Sequence, residues 1–276
     1  MSGIGLSIPS AALLRVPRRR IPEEASALIR RMSVEPSPAQ IGLIANLVRS
    51  LVTGGIWGQL DALHVLAAHD AQAARLNWVA DEYNLTAVNS PDFTAFRGYA
   101  GNGSSACLMS TANPFTLHSS SAAKLKQNSA HMALWRLTSG FTATKGLMGC
   151  REAATRFFDM VQFGATSITA RPNGGPAHGA LTVPAAPGFL AMSREAANSA
   201  AYYWNGTPLV TLAEASVLPP NAAIAVLAQN VTGEGPSAFA NDQIAVVSFG
   251  GALTPPQAAA FYAAVRTYLF AVGAVT

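Results

Sequence analysis

Long apolar runs, charge and cysteine are all scarce in this sequence, and each scarcity removes a class of protein. No stretch approaches the roughly 20 uninterrupted apolar residues that carry a helix across a bilayer. The opening MSGIGLSIPSAALLRVPRRRIP puts its apolar stretch ahead of its arginines, the reverse of a secretory signal, so a soluble chain without an export signal is expected. Only 12% of the residues are charged while 50% are hydrophobic, which excludes a disordered composition and suits a well-buried globular protein. The two cysteines, Cys107 and Cys150, have no metal-site spacing and no catalytic signature around them. They read first as buried free thiols, with a disulfide as the alternative.

The formal charge of +4 is unevenly placed. Arg15, Arg18, Arg19 and Arg20 fall within the first 22 residues with no acid beside them, and the remaining basic and acidic residues balance. A basic face for nucleic acid is therefore unsupported. Pro9, Pro17 and Pro22 argue against one helix over residues 1–22. That segment reads as an extended basic arm, and its four arginines are candidate anchors to an assembly partner; a solvated tail is the plain alternative.

After the arm, residues 23–83 read as a helical region. EEASALIRRM, SPAQIGLIANLVRSLVTGG and DAQAARLNWV are helix candidates, the second with Ser37 as cap, Pro38 in the first turn, Gln40 completing a capping box and Gly54-Gly55 as its stop, the third opened by Asp70 as cap. Between the last two, Leu63, Val65 and Leu66 offer a short strand. From residue 84 the pattern changes to short apolar runs between turn residues: LTAV, RGY, ACLM, AHMALWRL, KGLMG, RFFDMVQF, TSITA, FLAMS, AYYW, PLVTL, AAIAVLAQ and QIAVVSF. So many strands without alternating helices predict a β-sandwich over 84–276, closed by a helix at 254–272 that opens on Thr254, Pro255 and Gln257.

AYYWNGTPLV, at 201–210, is the aromatic-rich hairpin in this pattern. Asn205-Gly206 favours a type I′ turn, which pairs Trp204 with Thr207, Tyr203 with Pro208 and Tyr202 with Leu209. Alternation then sends Tyr202, Trp204 and Leu209 to a core face and leaves Tyr203 as the candidate glycan-contact ring.

The order of Leu76-Asn77-Trp78, Asn89-Ser90-Pro91-Asp92-Phe93, Arg97-Gly98-Tyr99, Gly101-Asn102-Gly103, Asn113-Pro114, Tyr203-Trp204-Asn205-Gly206 and Phe249-Gly250-Gly251-Ala252-Leu253-Thr254 resembles a group of tailed-phage and prophage structural proteins. Their β portion is similar to the concanavalin A-like, laminin-G-like jelly roll. The resemblance implies a non-enzymatic virion protein of fibre, spike or surface-decoration type. Its partners would be other virion proteins and copies of itself, with a host cell-surface glycan as a further ligand and neither nucleic acid nor membrane insertion. A free carbohydrate-binding adhesin and a polysaccharide depolymerase are the alternatives.

The sequence gives no catalytic residues, cofactor or metal site. Glycosidic cleavage needs two carboxylates flanking the bond, which a sandwich supplies from alternate positions of one strand. Here Asp159 in RFFDMVQF and Asp242 in NDQIAVVSF stand as single acids. No Gly-x-Ser-x-Gly elbow occurs, and His64, His69, His118, His131 and His178 are scattered, so each reads as structural. QNVTGEGPSAFANDQ has the oxygen donors of a loop that holds calcium, yet without dense Asp-x-Asp spacing it reads as an ordinary polar loop. PNGGPAHG and HSSSAAKLKQNSA likewise read as surface loops, the second mobile with solvated lysines.

Overall fold

The computed structural model describes residues 20–138, 144–177 and 179–276. The helices are α1 (Glu23–Ile29), α2 (Pro38–Thr53), α3 (Ala71–Arg75), α4 (Pro114–Ser119) and α5 (Pro255–Ala271). Both long ones start on the capping boxes expected of them. In α2 the Ser37 hydroxyl accepts the Gln40 N–H, and the Gln40 side chain accepts the Ser37 N–H at 2.7 Å. In α5 the Gln257 side chain accepts the Thr254 N–H at 2.9 Å. Asp70 caps α3 as expected, but that helix ends at Arg75 because Asn77 is drawn elsewhere. The Asn77 side chain accepts the Leu63 N–H at 3.0 Å and donates to the Asp61 carbonyl at 3.1 Å, which latches residues 76–79 onto a strand.

The strands run β1 (Leu60–Val65), β2 (Thr86–Val88), β3 (Asp92–Thr94), β4 (Gly98–Ala100), β5 (Cys107–Met109) and β6 (Ala130–Arg136). They continue with β7 (Lys145–Glu152), β8 (Arg156–Gln162), β9 (Ser167–Gly174), β10 (Leu181–Thr182), β11 (Gly188–Ala196) and β12 (Ser199–Trp204). The last are β13 (Thr207–Leu212), β14 (Ala225–Val226), β15 (Gln229–Val231), β16 (Gly235–Ser237) and β17 (Gln243–Gly250). Each apolar run read as a strand holds one. The short β3, β10, β15 and β16 carry no such run and were not legible.

Two sheets form the sandwich. The first has the order β13-β12-β11-β6-β17-β4-β3, with β1 also on β17; the second has the order β10-β9-β8-β7-β14-β5-β2, with β15 and β16 beside β7. Pairing is antiparallel except between β15 and β7. Because β1 lies inside the first sheet, the expected boundary between a helical region ending at 83 and a sandwich beginning at 84 does not divide the fold.

Helices α2 and α5 cover the outer face of the first sheet, giving three layers and two cores. Met132, Leu134, Met192, Tyr202 and Phe249 point toward Met148, Phe158 and Met160 of the second sheet. Ala133, Trp135, Phe189 and Val246 point instead toward Leu47, Val48, Leu51, Phe261 and Val265 of the helices. A strand buried on both faces needs apolar residues at every position, which is why AHMALWRL and QIAVVSF are near-continuous apolar runs.

The hairpin keeps its expected turn, with Asn205 at φ 49° and Gly206 at φ 74°. Trp204 faces Thr207 and Tyr203 faces Pro208 as expected, but a bulge follows and Tyr202 pairs with Val210. Leu209 thus loses its place opposite Tyr202, and both it and Val210 are exposed on the edge strand β13 rather than in the core. The expected mobile loop at 118–130 is pinned instead: Asp61 accepts the N–H groups of Lys124 and Leu125 at 2.7 and 2.8 Å, and the Lys126 ammonium donates to the carbonyls of Leu117, His118 and Ser120. Of PNGGPAHG, the first three residues belong to β9.

Candidate functional site

Tyr203 is not a surface ring. It is 1% exposed and packs in the core under the helices, because the first sheet has a second buried face that alternation alone does not reveal. Arg20 is exposed just ahead of α1, where its carbonyl accepts a bond from the Arg49 guanidinium at 3.2 Å. Arg15, Arg18, Arg19 and His178 lie outside the described residues.

Two aromatic residues, Trp135 and Tyr262, meet at one cleft. Trp135 is the outward residue near the end of β6, and Tyr262 lies in the second turn of α5. Their rings stack at 5.5 Å with 7° between planes, backed by Phe189 at 5.9 Å from Trp135. The stack forms a wall of a cavity of about 510 Å³, with Asn205 and Gly188 from neighbouring strand ends, Arg97 from the turn between β3 and β4, and Arg266 from α5. Residues 273–276 close another side.

Each part is held by local structure. Asn205 occupies the left-handed turn position, and its side-chain oxygen accepts the Phe189 N–H at 2.9 Å. Gly206 follows at φ 74°, and a Cβ there would come within 3.0 Å of Tyr262, so the turn and the helix are fitted to one another. Gly188 lies so close to Trp204 that an added Cβ would meet its ring at 2.5 Å. Phe96 at φ 61° turns the chain ahead of Arg97, whose Nε donates to the Gln243 side chain at 3.3 Å. Tyr262 and Arg266 are four residues apart and so share one face of α5. The cavity thus offers an aromatic wall, an amide and two guanidiniums, and no Asp or Glu side chain lines it.

The groups weighed for chemistry in the sequence lie elsewhere. Asp159, on the outer face of the second sheet, is 0% exposed and receives two bonds from Arg171 at 2.8 and 2.7 Å and one from Gln229. Arg171 in turn lies over the Phe157 ring at 3.4 Å. Burial pushes the Asp159 carboxyl up while Arg171 pulls it back. The neighbours two positions along β8, Phe157 and Val161, carry no second carboxylate. In the oxygen-rich loop, the Lys145 ammonium donates to Asn241 and reaches Asp242 at 3.3 Å, so a cation of the chain's own already sits against those oxygens.

His64 and His131 are fully buried, and burial lowers both to a pKa of about 4. His64 Nε2 bonds the Tyr83 carbonyl at 3.1 Å, and His131 bonds the Gly251 carbonyl and the Ser248 hydroxyl. His69 bonds the Val34 carbonyl, and His118 accepts the Gln127 N–H. Cys107 and Cys150 are free and buried in the inter-sheet core, where burial pushes the Cys107 thiol up to about 11 and raises Cys150 as well. Thiolate chemistry is suppressed at both.

Sequence reasoning passed over Trp135, Tyr262, Arg97 and Arg266. They come from strand, helix and turn text far apart in the chain, and no local pattern joins them.

No family model and no curated relative matches the chain. Solved structures do share its fold. A mutant of Trypanosoma rangeli sialidase displaying trans-sialidase activity matches with a TM-score of 0.57 at 10% identity, over 84% of this chain and 40% of that one. The binding domain of botulinum neurotoxin serotype D matches with a TM-score of 0.50 at 9% identity, over 76% of this chain and 52% of that one. Domain 4 of AbnA, an extracellular arabinanase of Geobacillus stearothermophilus in complex with arabinotriose, matches with a TM-score of 0.50 at 14% identity, over 74% of this chain and 98% of that one. The chain spans less than half of the sialidase, and at these identities the likeness establishes one thing: a mainly β, jelly-roll-like sandwich with a C-terminal helix.

Proposed function

We propose that this chain is a non-enzymatic, glycan-binding β-sandwich on a virion surface, and that its ligand enters the Trp135–Tyr262 cleft. The observation that carries the reading is the composition of that cleft: an aromatic wall with convergent amide and guanidinium donors, and no side-chain carboxylate. Sugars present apolar C–H faces and a rim of hydroxyls, which aromatic rings and fixed polar groups engage together. Hydrolysis by the two-carboxylate route has no acid to use there. The arabinotriose seen on the arabinanase domain is a precedent for a saccharide on this kind of sandwich. The virion setting, with other virion proteins and further copies of the chain as partners, is supported by the ordered motifs from Leu76 to Thr254.

The test is a glycan array read with the wild-type protein and with Tyr262→Ala. Binding by the wild type and a loss of about tenfold in the variant are expected, the size of a lost aromatic contact of roughly 1.5 kcal/mol. An array with no bound glycan, or equal binding by the folded variant, overturns the reading. Antibody detection of the chain in purified particles checks the location.

A further inference from the structure

We infer that the cleft selects a saccharide bearing a carboxylate, a uronic or other acidic sugar, which the guanidiniums of Arg97 and Arg266 hold while its ring lies against Tyr262. The inference rests on the glycan-binding reading above and adds the charge of the ligand.

Arginine use across the described residues is what singles out this pair. Arg30, Arg31, Arg156 and Arg171 each have a carboxylate partner, to Glu23, Asp81, Glu152 and Asp159. Arg136 and Arg194 are buried and spend their donors on carbonyls and a glutamine. Arg49, Arg75 and Arg151 have no carboxylate partner either, but they donate to carbonyls or side-chain amides, and Arg20 lies apart from the cleft, ahead of α1. Arg97 and Arg266 differ: neither has a carboxylate at ion-pair distance, both are exposed, and both line the same cavity. Arg97 gives only its Nε to Gln243, which fixes the plane of the guanidinium and leaves its two terminal nitrogens for another acceptor.

A neutral hexose would leave two cations facing hydroxyl groups. A carboxylate accepts paired N–H donors in the planar geometry that arginine presents, and such charge-assisted bonds are about twice as strong as neutral ones. No aspartate or glutamate side chain stands in the lining to repel an anion. The placement also divides the work, since Arg266 follows Tyr262 by one helical turn and a sugar against that ring comes within reach of the cation beside it.

The experiment titrates the protein with three matched oligosaccharides, neutral, uronate-bearing and sulfated, using wild type, Arg97→Gln/Arg266→Gln and Tyr262→Ala, each checked for folding by thermal melting. The wild type is expected to favour the uronate over the neutral sugar by about tenfold or more, with the advantage shrinking as salt rises. In the double arginine variant uronate affinity falls to the neutral level, and in Tyr262→Ala uronate and neutral sugars both bind more weakly. Equal wild-type affinity for neutral and acidic sugars overturns this inference and leaves the cleft reading standing. Stronger binding of the sulfated sugar overturns the assignment to a carboxylate. Absence of binding to all three removes the glycan reading itself.

Discussion

Two of the places where arginine meets an aromatic ring have opposite chemistry. On the outer face of the second sheet, Arg171 lies on Phe157 and gives its donors to Asp159, which also takes a bond from Gln229. Beside the helix-covered face of the first sheet, Arg97 and Arg266 flank Trp135 and Tyr262 with no acidic side chain in the lining. One acidic side chain separates a closed, internally satisfied cluster from an open site. A sequence scan that counts aromatics and arginines scores the two alike; the partner of the cation tells them apart.

The largest effect expected from testing this contrast comes from Tyr203→Ala. Removing a fully packed ring from the core between the first sheet and the helices costs about 3–5 kcal/mol, read as a lower urea midpoint. A folded variant of unchanged stability that fails to bind glycan would instead make Tyr203 a contact residue and move the site away from the cleft.

Asp159→Asn comes next. It leaves the Arg171 charge buried without its counter-ion, at a cost of about 3 kcal/mol, while glycan binding per folded molecule stays as in wild type. Loss of binding, or of reducing-sugar release from a polysaccharide, at full stability would reverse the comparison and place chemistry on the second sheet.

The smallest effect per residue sharpens the contrast through pH. The first sheet holds His64 and His131, each lowered by burial from 6.5 to about 4, whereas no histidine lies on a described strand of the second. A depressed histidine pKa means that the unfolded chain binds the proton more readily. The histidine contribution is therefore complete above pH 6.5 and is lost as the pH falls from there toward 4. Between pH 7 and 5 each histidine should remove about 2 kcal/mol of stability. Chemical denaturation at both pH values checks this, and an equally steep loss in His131→Gln would show that His131 is not a source of it.

Much of the fold was legible because its signals are local. Ser37, Gln40, Thr254 and Gln257 announce two helix starts by their own bonding, and Asn205-Gly206 sets a turn whatever surrounds it. What failed depended on a third layer. Alternation says that Tyr202 and Tyr203 face opposite ways, and they do, but not that both sides are interior. The bulge beside Tyr202 has no mark in PLVTL, and β1 showed only as the short apolar run of Leu63, Val65 and Leu66, because LDALHV sits in helical surroundings and pairs with β17, far along the chain. The cleft was illegible for the same reason, since Trp135 reads as a core residue of its strand and Tyr262 as part of a helix.

The descent of Tyr262 and Arg266 from α5 gives the cleft a history as well as a geometry. A nascent chain that has already emitted both sheets still lacks one wall and one cation of the site, because these arrive with the helix that follows β17. The cleft is thus completed only once α5 has been made and docked, and before that step there is no formed pocket in which a ligand could lodge.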